Sequence, residues 1–193
     1  MSTKCTRPSL PVAIVAATLL STAAGAQSPA RLEVRPFVGA FIPTGDQRDF
    51  LEDAVLTGAE ISLRASRSAS ITVGLGWSPS KDRITSGSQT IDIYQYDVGV
   101  ELRPGSSSTD GYGFSPFVGA GIGGRTYNYR DLDIDSGTNF VSYAALGGDI
   151  GLGAVSVRVA ARDYVSQFKP ITGGGDTRTR NDIGIVVGLG YRF

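Results

Sequence analysis

The chain has no histidine, and only one cysteine, one methionine and one tryptophan among its 193 residues. Without histidine it lacks the side chain whose ordinary pKa suits acid–base work near neutrality, and it lacks imidazole ligands for a metal. A single cysteine, Cys5, forms no internal disulfide and no thiolate cluster. Acidic and basic residues number 18 each, so there is no general attraction to nucleic acid or to anionic surfaces. Nowhere is the chain apolar over the 18 residues or so that a membrane-crossing helix requires. That absence does not extend to strands, because a membrane-crossing β-strand alternates and averages to neutral hydropathy.

The N-terminus reads as a segment to be removed. Lys4 and Arg7 give it a positive start, Leu10 to Leu20 is an apolar run, and "STAAGA" ends it with Ala24 and Ala26 at the minus-three and minus-one positions. These are the three regions of a secretory signal, here residues 1–26, with cleavage before Gln27. The apolar run is too short to span a bilayer. Cys5 precedes it and leaves with it, so residues 27–193 form a cysteine-free single domain that needs no disulfide after export.

What the chain does have is a period of two. In "IGIVVGLGYRF", Ile183, Ile185, Val187, Leu189, Tyr191 and Phe193 alternate with Gly184, Val186, Gly188, Gly190 and Arg192. Alternation of this kind places one set on each face of a strand. The same split recurs seven more times and predicts eight strands, at 31–42, 54–65, 70–78, 90–103, 114–126, 139–151, 154–164 and 182–193. Longer connections alternate with shorter ones, the gap 104–113 being the least clear. The phrase "PFVGA" opens the first and fifth strands, at Pro36–Ala40 and Pro116–Ala120, with each proline near a strand start, where its missing N–H is tolerated.

One face of these strands is apolar. The other is Gly, Ser and Ala with scattered charges, a composition that suits a narrow filled lumen better than a water-washed sheet. On that face, towards one end, lie Glu33, Glu60, Asp97, Glu101 and Asp149, and also Arg35, Arg64, Arg103, Arg158 and Arg192. Guanidinium forks match carboxylates and stay charged when buried, so the set reads as a network of ion pairs plugging the lumen. A gated ion pathway is the alternative reading of the same residues. Trp77, Tyr94 and Tyr96 fall near one rim, and Phe114, Tyr191 and Phe193 near the other, as aromatic girdles would.

A signal, eight alternating strands and a terminal "GLGYRF" resemble the small outer-membrane β-barrel family of the OmpA barrel, OmpX and OmpW. The resemblance implies an all-β fold, an eight-stranded antiparallel up-and-down transmembrane β-barrel with both ends in the periplasm and long loops outside. It implies that Phe193, with Tyr191 and Leu189 on the same face, is the assembly signal read by the barrel-insertion machinery. It implies a monomer in the bacterial outer membrane, in contact with lipid and lipopolysaccharide, with no nucleic-acid partner. No counterpart is expected of the peptidoglycan-binding domain that follows OmpA barrels.

Chemistry finds little to stand on. Known outer-membrane barrel enzymes, among them lipid A deacylases, palmitoyl transferases, phospholipases and omptin proteases, resemble one another in needing a histidine as acid or base, and none is present. Asp131, Asp133 and Asp135 have the odd spacing of a calcium loop, but Ser136 and Ser142 stand where it needs Gly and Glu. "KPITGGGDTRTRND" has glycines without a P-loop lysine in register. Lys81, Arg83, Lys169, Arg178 and Arg180 are expected near lipopolysaccharide phosphates. The reading is a non-enzymatic barrel, structural or surface-interacting, with no cofactor and no metal. Its alternatives are a small channel for ions or apolar solutes, and a soluble periplasmic ligand-binding barrel with the charged face outside.

Overall fold

The computed structural model describes residues 32–49, 51–81, 89–105, 112–130, 137–168 and 178–193. The expected signal at 1–26 lies outside them. Eight strands follow one another: β1 Leu32–Thr44, β2 Ala54–Arg64, β3 Ala69–Lys81, β4 Thr90–Leu102, β5 Tyr112–Tyr129, β6 Gly137–Leu152, β7 Val155–Phe168 and β8 Arg178–Arg192. A short 3-10 helix, Gly45–Asp49, lies between β1 and β2. Each strand pairs antiparallel with its neighbours and β8 closes on β1, giving an up-and-down barrel with no free edge.

The register sets the barrel's shape. From Glu33 the cross-strand partners run through Ser62, Thr72, Gly99, Gly121, Tyr143, Tyr164 and Asp182, returning to β1 at Pro43, from position 33 to position 43. That ten-residue shear across eight strands corresponds to a strand tilt of roughly 35–45° and an interior that side chains fill. Every strand has at least 11 residues, enough for the ~9–11 that a tilted strand needs to cross a bilayer.

The apolar phase points outward. Val38, Leu75, Val100, Ile122, Leu146, Val159 and Val187 are all exposed on the outer surface. The soluble arrangement, with a wet exterior and an apolar interior, is therefore not the one adopted. Trp77, Tyr94, Tyr96 and Phe140 stand outward towards one end; Tyr112, Phe114, Tyr191 and Phe193 stand outward towards the other. Two glycines on this surface lie beneath aromatic rings. A Cβ on Gly124 would meet the Tyr96 ring at 2.5 Å, and one on Gly148 would meet the Phe114 ring at 2.5 Å.

Several strands outrun the sequence expectation at the end bearing Trp77. β3 continues to Lys81, β5 to Tyr129, β6 starts at Gly137, β7 continues to Phe168 and β8 starts at Arg178. Apolar alternation tracks the lipid-facing belt, whereas the hydrogen-bond ladder continues beyond it into water. At the other end the connections are 65–68, 103–111 and 153–154. Gly153 takes a φ of 76°, the left-handed conformation that a two-residue hairpin loop favours. We refer to these as the short-turn and long-loop ends.

The twin "PFVGA" phrases do the same work on opposite sides. Phe37 lies directly across from Gly58, and Phe117 directly across from Gly147. Each ring points into the lumen over the glycine, so that a Cβ there would meet Phe37 at 2.5 Å and Phe117 at 2.7 Å. The β1–β8 ladder lapses at Arg35 and Pro36, then resumes at Phe37 in the same register. This fits a proline that has no N–H to donate.

Candidate functional site

The lumen gathers buried charged and polar side chains from all around the barrel, and alternation along the strands is what gathers them. In its short-turn half, Arg158 of β7 reaches three other strands. It donates to Asp149 of β6 at 2.7 and 2.9 Å, to Glu101 of β4 at 2.6 and 2.9 Å, and to Glu60 of β2 at 2.9 Å. Its guanidinium stands 4.2 Å from the centre of the Phe117 ring, close enough for a cation–π contact. Only 2% of Arg158 is exposed.

The neighbours interlock with it. Arg35 donates to Glu60 at 2.5 Å and to Glu33, and lies 4.0 Å from Asp149. Arg103 donates to Ser70 at 2.5 Å, Glu101 at 2.9 Å and Asp149 at 3.3 Å. Glu33 also accepts from Ser156 at 2.5 Å and from Arg192 at 3.1 Å. Arg192 donates as well to the Gly153 carbonyl at 3.2 Å. Arg64, at the end of β2, lines a recess at the short-turn mouth with Glu33, Ser62, Ser70, Arg103 and Arg192.

Further in, a second group extends past the residues singled out from the sequence. Arg162 pairs with Glu60 and lies 3.5 Å from Asp97. Asp97 accepts from Gln95 at 3.0 Å, and Gln95 donates to the Tyr164 hydroxyl at 2.5 Å. Arg125 pairs with Asp182 and donates to Gln95 at 2.9 Å. It is held between the rings of Phe41 and Tyr164, 5.1 and 4.9 Å from their centres. Arg125, Arg162, Asp182, Gln95 and Tyr164 all occupy the inward phase of their strands. A search confined to one half of the barrel passes over them, although the alternation itself contains the signal.

Above this polar column the lumen turns apolar. Phe41, Leu56, Ile91, Ile93 and Val141 are buried together, and Leu51, from the β1–β2 connection, is buried with them. Ser80 donates to the Glu52 carbonyl at 2.7 Å, and the Glu52 amide donates to the Lys81 carbonyl at 3.1 Å, fixing the backbone beside Leu51. Beneath the apolar layer, each carboxylate of the short-turn half is engaged by guanidinium. Among the described residues no group of His, Cys, Asp and Glu is disposed to hold a metal ion.

Outside the lumen, Asp92 faces outward near the long-loop end. It accepts the Trp77 indole N–H at 2.9 Å and two bonds from Arg130, at 2.6 and 2.8 Å. The tryptophan expected in the girdle is thus tied at its polar tip. Leu189, Tyr191 and Phe193 form an exposed outward row at the end of β8, with the Tyr191 and Phe193 rings edge to face at 5.0 Å. Asp131, Asp133 and Asp135, together with Arg83 and Lys169, lie outside the described residues. Lys81 is exposed at the long-loop end of β3.

Comparison with known proteins places this geometry. The family profile described as "Outer membrane protein beta-barrel domain" matches residues 12–193. No curated protein sequence matches the chain. Among solved structures, the chain is similar to the outer membrane protein OprG from Pseudomonas aeruginosa, with 14% identity, a TM-score of 0.59, and coverage of 85% of this chain and 96% of that one. It is similar to the N-terminal β-barrel domain of Pseudomonas aeruginosa OprF, at 12% identity and a TM-score of 0.56, covering 86% and 100%. Neisserial surface protein A gives 9% identity and a TM-score of 0.60, covering 84% and 97%. Identities this low speak to the fold alone.

Proposed function

The chain belongs to the outer membrane protein β-barrel domain family, and from that premise we propose that it is a non-enzymatic barrel of the bacterial outer membrane with a lumen closed to solutes. Its role is then structural or surface-interacting. The observation that carries this reading is the position of Arg158, whose bonds to Asp149, Glu101 and Glu60 bridge four strands across the interior. A path for ions would have to break several buried charge-assisted bonds at once, and each stranded charge costs several kcal/mol. The apolar layer of Phe41, Ile91, Ile93, Val141 and Leu51 lies in series with that barrier.

The non-enzymatic part rests on chemistry. The sequence has no histidine, and the buried carboxylates of the short-turn half are tied up in hydrogen-bonded ion pairs with guanidiniums rather than aimed at open space. The long loops would face outward, with Lys81 near lipopolysaccharide phosphates. Residues 1–26 would be removed on export. The row Leu189, Tyr191 and Phe193 would be read by the assembly machinery. Closure of β8 on β1 leaves no strand edge to recruit another copy, which favours a monomer.

Two assays on the protein folded into liposomes test this reading. Swelling in isotonic sugars and salts is expected to match empty liposomes. Mass spectrometry of phospholipid and lipopolysaccharide after incubation is expected to show no new species. Uptake of solute, or a modified lipid, would overturn the corresponding half of the reading.

A further inference from the structure

The lipid-facing surface carries its cations on one wall. Among the described residues, Lys81 at the end of β3 and Arg130 just past β5 are the basic side chains in outward phase at the long-loop ends of the strands. Thr90 lies between them. It is the cross-strand partner of Lys81, and its carbonyl accepts the Arg130 amide at 3.2 Å. The three form one row across β3, β4 and β5, with the two cations about 10 Å apart at the backbone. Arg48, on the β1–β2 connection, pairs instead with Asp53 at 3.7 Å. On the strands at the short-turn rim the described outward residues, among them Leu102, Tyr112, Leu152 and Phe193, are uncharged. Rings with polar tips share the cationic wall. Trp77 and Tyr94 are direct partners two outward rows below Lys81 and Thr90, and Tyr96 lies opposite Leu75 in the next row. Asp92 stands between the cations and the rings, only 5% exposed. Its Oδ1 accepts the Trp77 indole N–H and one Arg130 N–H, and its Oδ2 accepts another from Arg130. The guanidinium is thus drawn down towards the girdle, while 50% of the Arg130 side chain stays exposed.

We propose that this wall of β3, β4 and β5 binds the phosphorylated, acylated sugar at the base of lipopolysaccharide, with phosphate on Lys81 and Arg130 and acyl chains on the surface below Trp77 and Tyr94. This deepens the surface-interacting reading above and rests on its orientation, with the long loops outside the cell. Ammonium and guanidinium both suit phosphate oxygens, and the Thr90 hydroxyl adds a donor between them. Asp92 is a positioning residue: its charge is answered by Arg130, and it fixes the guanidinium about 5 Å above the girdle, at the depth of the headgroups. Indole and phenol tips bond at that same interface. Below them Leu75, Val73, Val98 and Ile122 present an exposed apolar surface to acyl chains. Two cations set two strands apart suit a headgroup broader than a single phosphodiester, and the orientation places them in the outer leaflet.

Trp77 is the only tryptophan of the chain, so its fluorescence reports on the site itself. The test folds the full barrel in maltoside micelles and titrates it with diphosphorylated lipid A at constant ionic strength. A saturable change in Trp77 emission is expected. At matched mole fractions, dephosphorylated lipid A and phosphatidylglycerol are each expected to bind at least tenfold more weakly. Lys81→Gln and Arg130→Gln are each expected to weaken diphosphorylated lipid A at least tenfold. Arg48→Gln, on the same rim but away from the row, is expected to leave the affinity unchanged and so controls for general charge attraction. Arg130→Gln also releases Asp92. If it alters Trp77 emission without lipid, or fails to fold, Lys81→Gln decides, since Lys81 is exposed and takes no part in the bonds between Trp77, Asp92 and Arg130. A change that does not saturate would overturn the proposal. So would undiminished affinity for phosphatidylglycerol, for dephosphorylated lipid A, or of Lys81→Gln for the full ligand. Liposome swelling on the same preparations reports separately on the closed lumen, so the failure of one reading is distinguished from the failure of the other.

Discussion

Arg158 and Glu101 meet across the lumen through two parallel hydrogen bonds, of 2.6 and 2.9 Å, although three strand-to-strand steps separate β7 from β4. A bidentate pair at that position ties the two walls of the barrel together. Replacing Arg158 alone by Met should therefore strand Asp149, Glu101 and Glu60 with fewer partners. The expected loss is about 3–5 kcal/mol, the cost of breaking a buried charge pair from one side. Urea unfolding of the barrel in lipid measures it.

Removing both members of a pair should be gentler than removing one. Arg103 with Glu101 is the pair that sequence spacing suggests, but Glu101 is also bonded to Arg158, and Arg103 to Asp149. Arg125 and Asp182 form a more self-contained pair. Arg125→Met with Asp182→Asn should cost clearly less than Arg125→Met alone, in the same unfolding experiment. Equal losses would mean that Asp182 gains nothing from its partner.

The outward face makes a separate prediction. Val187 is 47% exposed and lies opposite Val38 and Val159, both also outward, midway between the two aromatic rims. Val187→Arg should destabilise the folded barrel by about 2–4 kcal/mol, as a cation does at the bilayer midplane. At the next residue the cause differs, because a Cβ on Gly188 would meet Cδ of Arg35 at 2.8 Å. Gly188→Arg should thus disrupt the Arg35 bonds to Glu33 and Glu60, and it should do so in detergent as well as in lipid.

Gly147 tests the shared task of the "PFVGA" phrases. Its missing side chain makes room for the Val159 carbonyl and for Phe117, which in turn supports Arg158. Gly147→Val should cost about 1–3 kcal/mol by overpacking. Combining it with Phe117→Ala should relieve part of that cost, a coupling that a double-mutant cycle reads directly.

The sequence made the strand count and the two faces legible because lipid and a narrow lumen demand opposite residue types at alternate positions. Leu32 to Ile42 and Ile183 to Phe193 could each be assigned to a face residue by residue. The ends of β5 and β7 were not legible: beyond the belt the outward positions turn polar, as at Asn128, so the apolar alternation stops before the ladder does. Which acid meets which base was not legible either. Pairing such as Glu60 with Arg162 depends on the barrel's shear, which brings together residues 102 positions apart. The burial of Leu51 depends on how a loop folds over the mouth, and no periodicity reports that.

The claim at the centre of the account is a lumen closed by buried charge pairs below and an apolar layer above. Single-molecule recording in planar lipid bilayers tests it most directly. The unmodified protein, inserted and held in concentrated potassium chloride across a range of voltages, is predicted to show no steady conductance above the bare membrane. Arg158→Met with Glu101→Gln, which removes the central bridge, is the variant in which a leak would first appear. Steady conductance by the unmodified protein, with ion selectivity that changes on substitution at Arg158 while stability does not, would contradict the account and make the barrel a channel.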